Sequence, residues 1–135
     1  MMISNIFYIP NKGSDGVECE SIKLLADLGM EKDYHAVGGD KQLTIITKEL
    51  FDRLGVDDGI CFKRFKPNIV VTSPLQEGEY QLGDSVIYVS KYQKKCFVEC
   101  EREDKNKCLM KHMIYYGAVK QSGIIKVSDE LRKKT

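Results

Sequence analysis

Apolar residues along this chain come in short runs that alternate or nearly alternate, and turn formers cut them off. ISNIFYI (3–9) stops at Pro10, QLTIIT (42–47) and NIVVTS (68–73) are similar runs, and Pro74 closes the last. Each reads as a strand. Over 80–92, YQLGDSVIYVSKY sets a Gly83-Asp84 turn before Val86, Tyr88 and Ser90, which alternate with Ile87 and Val89. That is the pattern of an antiparallel strand reached through a tight turn. GAVKQSGIIKV (117–127) reads as a further hairpin around Gln121-Ser122-Gly123, and DELRKKT after it reads as a frayed, charged tail. Only KELFDRLG switches to helical spacing, with Leu50, Phe51 and Leu54 on one side, Thr47 as N-cap and Gly55 as stop. No internal repeat or low-complexity linker divides the chain. The pattern predicts one domain over 1–135, mainly β with a few short helices. A closed or nearly closed β-barrel is expected, because closure removes the exposed edges that so many short strands would leave.

Composition narrows the function classes. The 135 residues suffice for one core, and 42% hydrophobic against 30% charged residues is the balance of an ordinary globular protein. Lys and Arg (21) nearly cancel Asp and Glu (20), and no basic cluster is interleaved with aromatics, so neither nucleic acid nor an anionic membrane is expected as partner. MMISNIFYIPNKGSDG has no basic stretch ahead of its apolar run, and Pro10 cuts that run short. No signal peptide or spanning helix is predicted, and a cytoplasmic location is expected. In that reducing setting the five cysteines read as free thiols or metal ligands rather than as a disulfide framework.

Three of those cysteines fall in KKCFVECEREDKNKC, residues 94–108. Cys96 follows Lys91, Lys94 and Lys95, and cationic neighbours favour a thiolate. A thiolate can take a sulfur atom from a donor persulfide, and it is also a soft ligand suited to molybdenum. The plain alternative is a small hydrophobe at a strand end. Cys100 is close enough in sequence to relay a sulfur held on Cys96. The spacing C-x3-C-x7-C differs from that of structural zinc pairs, yet with His112 a Cys3His zinc site or a three-Cys iron–sulfur site, including Cys108, stays open on ligand type. Glu99, Glu101, Glu103 and Asp104 oppose the lysines, so the stretch is mixed in sign. Asp33 and His35, two apart ahead of Gly38-Gly39, face one side of an extended segment. They suit proton transfer or anion binding beside backbone amides. Equally, Asp33 can hold a turn with His35 solvated. Cys19 and Cys61 carry no assigned role.

Together, "GMEKDYHAVGGDKQLTI", "RFKPNIVV", "YQLGDSVIYVSKYQKKC" and the stretch from Cys96 to Leu131 resemble the MOSC domain, the module similar to the C-terminal domain of molybdenum-cofactor sulfurases. Gly29, Asp33, His35 and Gln42 match the first motif, while Lys32 stands for its second Gly and Lys41 for its Arg. Asn68 matches the second motif, Cys96, Cys100 and Cys108 fall in register, and Ser128 stands where a Gly is usual. The resemblance implies a MOSC-type barrel acting in molybdenum-enzyme maturation. Cys96 would carry a persulfide or bind the molybdenum cofactor directly, and Asp33, His35, Lys41 and Asn68 would border the cofactor pocket. A cysteine desulfurase or a molybdoenzyme would be the partner, with pyridoxal phosphate only on that partner. An alternative of another class is a non-catalytic adaptor whose cysteines hold zinc or an iron–sulfur centre.

Overall fold

The structure is a computed structural model and describes residues 1–34, 36, 38–39, 42–53, 66–91 and 113–134. Its elements are strands β1 (Ile3–Tyr8), β2 (Val17–Cys19), β3 (Ser21–Leu25), β4 (Gly29–Met30) and β5 (Leu43–Thr47), the helix α1 (Lys48–Arg53), and strands β6 (Ile69–Val71), β7 (Gly78–Leu82), β8 (Ser85–Lys91), β9 (Ile114–Gln121), β10 (Gly123–Lys126) and β11 (Leu131–Lys133). Among the described residues α1 is the only helix, and it begins where expected: the Thr47 hydroxyl accepts from the Leu50 N–H at 3.3 Å.

Eight strands form one strongly curled sheet in the order β11-β7-β8-β9-β5-β6-β1-β2, and β10-β3-β4 form a second, smaller one. The β5–β6 pair is parallel and every other strand pair is antiparallel. A parallel neighbour needs a crossover, and α1 lies in it. The curl is not fully closed. Residues 128–131 are tied back to the start of β1 by a bridge between Met2 and Glu130, beside which the Ile3 carbonyl and N–H pair with Ser128 N–H and the Asp129 carbonyl, both at 2.9 Å. The mainly-β, barrel-like architecture expected from the pattern is therefore observed, as a strongly curled half-barrel.

Both sheets feed one core. Alternate residues of β1, β5, β7, β8 and β9 (Ile6, Ile45, Leu82, Ile87 and Val119 among them) pack with Leu24 and Ile125 of the smaller sheet. Full burial of each such side chain contributes about 1.5–3 kcal/mol.

Two readings of the pattern need correction. The strands on either side of Gln121-Ser122-Gly123 exist but do not pair as a hairpin: β9 lies between β5 and β8, whereas β10 pairs with β3. The chain leaves the large sheet at Ser122, whose hydroxyl accepts from the Ala26 N–H at 2.8 Å. Gly123 follows, and a Cβ there would come within 2.4 Å of the Asp84 backbone. The tail is not frayed either. Leu131 is buried, and β11 pairs with β7 from Leu131↔Leu82 to Lys133↔Tyr80. Backbone pairing and one apolar anchor hold a segment whose side chains are otherwise charged.

Candidate functional site

Asn68 follows Pro67 and sits between β5 and β1, one residue before β6 begins. Its backbone continues both ladders: its N–H donates to the Thr44 carbonyl at 2.9 Å and its carbonyl accepts from Phe7 N–H at 2.7 Å. Its side chain adds a second peptide-like group. Oδ1 accepts from Thr44 N–H at 3.0 Å, while Nδ2 donates to the Phe7 carbonyl at 3.2 Å and to Asp33 Oδ1 at 2.9 Å. Asn68 is fully buried, and both amide hydrogens have partners.

Asp33 arrives from the other side. Lys32 takes φ of 68°, turning the chain after β4 so that the Asp33 carboxylate points back at the end of β1. There Oδ1 accepts from Ile9 N–H at 2.7 Å, and the next residue returns the contact, Tyr34 N–H donating to the Ile9 carbonyl at 2.9 Å. The carboxylate is buried but bonded to two N–H donors, which is what makes a buried charge tolerable. The Asp33 side chain thus reaches across the fold to the end of β1 and to Asn68, a partner that the sequence did not reveal. Gln42 performs the matching task at the far end of the motif: Nε2 donates to the Gly39 carbonyl at 2.8 Å and Oε1 accepts from Val119 N–H at 2.9 Å.

This node is tied to the cysteine-bearing segment through the sheet. From Asn68 a hydrogen-bonded row runs to Thr44, on to Tyr116 and then to Ser90, one residue before β8 ends. Three inter-strand steps amount to about 14 Å. Of the residues singled out from the sequence, Asp33 and Asn68 are brought together. His35, Lys41, Cys96, Cys100, Cys108 and His112 lie outside the described residues.

A second feature had no signal in the sequence. A cleft of about 840 Å³ opens where β1 passes from its β2 partner to residues 128–131, lined by Ser4, Glu18, Cys19, Glu20, Ser21 and Lys126 among others. Three distant segments build it, so no local pattern announces it. The Cys19 thiol there is pushed up by burial, partly countered by Lys32 and reinforced by Glu18, which keeps it protonated at neutral pH. Among the described residues no cluster of three or more His, Cys, Asp or Glu side chains comes together as a metal site, and no helix is long and apolar enough to cross a membrane.

No protein-family model matches the chain, and no curated protein sequence matches it. Solved structures do. One, described as a hypothetical protein, superposes over the whole chain and 68% of its own length with a TM-score of 0.67 at 14% identity. YiiM from Escherichia coli, a MOSC-domain protein, superposes over the whole chain and 71% of its own length with a TM-score of 0.58 at 16% identity. Identities this low speak to the fold, and the fold is MOSC-like.

Proposed function

We propose that this chain is a sulfur carrier of the MOSC type serving molybdenum-enzyme maturation, with Cys96 as the residue that holds the sulfur. The observation that carries the reading is the Asp33–Asn68 contact: two stretches of sequence that resemble separate MOSC motifs are joined side chain to side chain, at 2.9 Å, within a MOSC-like fold. The root of the Cys96 segment lies along the same sheet, in keeping with that reading.

In the proposed step the Cys96 thiolate attacks the outer sulfur of a persulfide on a cysteine desulfurase. A new S–S bond forms on Cys96, the donor's S–S bond breaks, and the donor cysteine leaves as a thiolate that takes up a proton. The sulfur moves without net oxidation, and pyridoxal phosphate belongs to the donor. Cys100 can receive the sulfur from Cys96 by the same exchange and pass it on.

Asn68 has both amide hydrogens engaged, and the buried Asp33 side chain accepts from Ile9 N–H and from Asn68. Their part is to hold the chain on one side of His35 and Lys41, as Gln42 does on the other. Those two residues, with Cys96, are the ones proposed to meet a phosphorylated, thiolate-ligated cofactor if the sulfur is delivered onto it.

Loading with a cysteine desulfurase and free cysteine tests the reading. The chain is expected to gain one reducible sulfur. Cys96→Ser is expected to gain none while keeping its thermal midpoint, because a thiol that a donor protein reaches cannot be deeply packed.

A further inference from the structure

The cleft of about 840 Å³ lies on the seam between the two sheets and shares no lining residue with the Asp33–Asn68 node. The chain crosses that seam at Glu20, passing from β2 of the large sheet to β3 of the small one. There the Val127 N–H donates to the Glu20 carbonyl at 2.8 Å, and in the next rung Ser21 faces Lys126. Cys19 and Val127 are half-buried and pack against the core, so the floor of the cleft is apolar.

Its walls are charged, and one of them is fixed. Asn5 Nδ2 donates to Glu18 Oε2 at 2.8 Å, and Asn5 Oδ1 accepts from the Ser4 hydroxyl at 2.7 Å. With its proton committed to Asn5, the Ser4 oxygen has only lone pairs to offer a ligand, as has the other Glu18 oxygen. These acceptors suit an ammonium. Lys126, exposed on the β10 side, supplies a cation. Among the described residues no ion pair joins it to Glu18 or Glu20, so both signs stay open to a ligand. Lys32 is a second cation within electrostatic range of the Cys19 thiol, and Glu18 and Glu20 are thus balanced by Lys126 and Lys32. A ligand of one sign alone would meet repulsion from one wall.

We propose that this cleft binds a small zwitterion of dipeptide size, its ammonium set against Glu18 and Ser4 and its carboxylate against Lys126. Glu18 lies three residues before Ser21, the partner of Lys126, a reach of at most about 10 Å along the chain. An extended dipeptide spans about 7 Å, which lets its two ends meet the two walls while its side chains rest on the floor. The volume is that of a small-molecule site, for which about 300–1,000 Å³ is usual. The inference stands apart from the sulfur-carrier reading of Cys96.

Cys19 on the floor is a built-in reporter, because a bound ligand covers it. Its alkylation by iodoacetamide is followed by peptide mass spectrometry with L-alanyl-L-alanine as the probe. About 10 mM dipeptide is expected to slow the alkylation about tenfold, the protection that a Kd of about 1 mM gives. The same dipeptide with its amine acetylated and its carboxylate amidated is expected to protect less than about twofold. Glu18→Gln and Lys126→Gln, both at exposed positions, are each expected to weaken the protection about three- to fivefold, the worth of one exposed charge pair. Rates are compared with and without dipeptide within each protein, since Glu18 also acts on the thiol directly. Absence of protection in the unaltered chain, equal protection by the blocked dipeptide, or undiminished protection in either variant overturns the inference.

Discussion

Lys32 and Ser128 hold φ of 68° and 78°, a left-handed conformation that costs an ordinary L residue about 1–2 kcal/mol. Both stand where the resembling MOSC motifs have glycine, so the departure from the motif and the backbone strain are one fact seen twice. Ser128→Gly is therefore expected to stabilise the chain by about 0.5–1 kcal/mol, less than the full strain because glycine loses more entropy on folding. A thermal midpoint raised by about 2–5 °C checks it. At Lys32 the gain is smaller, because its ammonium lies 5.8 Å from the centre of the Tyr8 ring and a glycine forfeits that contact. Asn68→Ala runs the other way. It leaves a Thr44 N–H, a Phe7 carbonyl and the Asp33 carboxylate short of partners in a buried site, for an expected loss of about 2–4 kcal/mol in denaturant unfolding. Cys19 offers a pH test. Its thiol is raised by burial, so its alkylation should lag behind an exposed thiol at pH 8 and catch up only in more alkaline solution. The sign for stability follows: the contribution is complete below the ordinary thiol range and is lost as pH rises through the elevated value. Asp33 and Asn68 were legible as motif positions, but their contact spans 35 residues and no spacing rule encodes it.

Runs bounded by prolines or turn formers were read as strands, whereas β3, which alternates between exposed and buried residues, was not. β1, β5, β6 and β8 fall within the runs marked from alternation and proline stops, because each has a face packed on the core and the pattern follows burial. β4 has only two residues, too few to show any period, and β2 is mostly exposed along its length. The pair at the chain's end shows a different limit. A Gly-centred turn between two β-prone runs ordinarily means a hairpin, yet the close approach of Gly123 to the Asp84 backbone sends β10 to β3 instead. Gly123→Ala should push that backbone aside. An expected destabilisation of about 2–4 kcal/mol, larger than alanine at an open glycine causes, would be seen as a shift in the urea midpoint.

At the scale of the molecule, a curled sheet that almost closes leaves the Asp33–Asn68 node and the root of the cysteine segment along one hydrogen-bonded row. The side chains proposed for the chemistry are not in that row, and they are named by the sequence resemblance rather than by the fold. In the proposed cofactor arrangement, Lys41→Ala is expected to weaken binding of a phosphorylated pterin about tenfold by titration calorimetry, since one phosphate contact is worth roughly a decade in affinity. The measurement that bears most directly on sulfur carriage is peptide mass spectrometry after loading with a cysteine desulfurase and cysteine in the absence of oxygen. The expected result is the mass of one added sulfur on the peptide holding Cys96, removed by a thiol reductant. Added sulfur found only on Cys100 or Cys108, or on no cysteine, would contradict it.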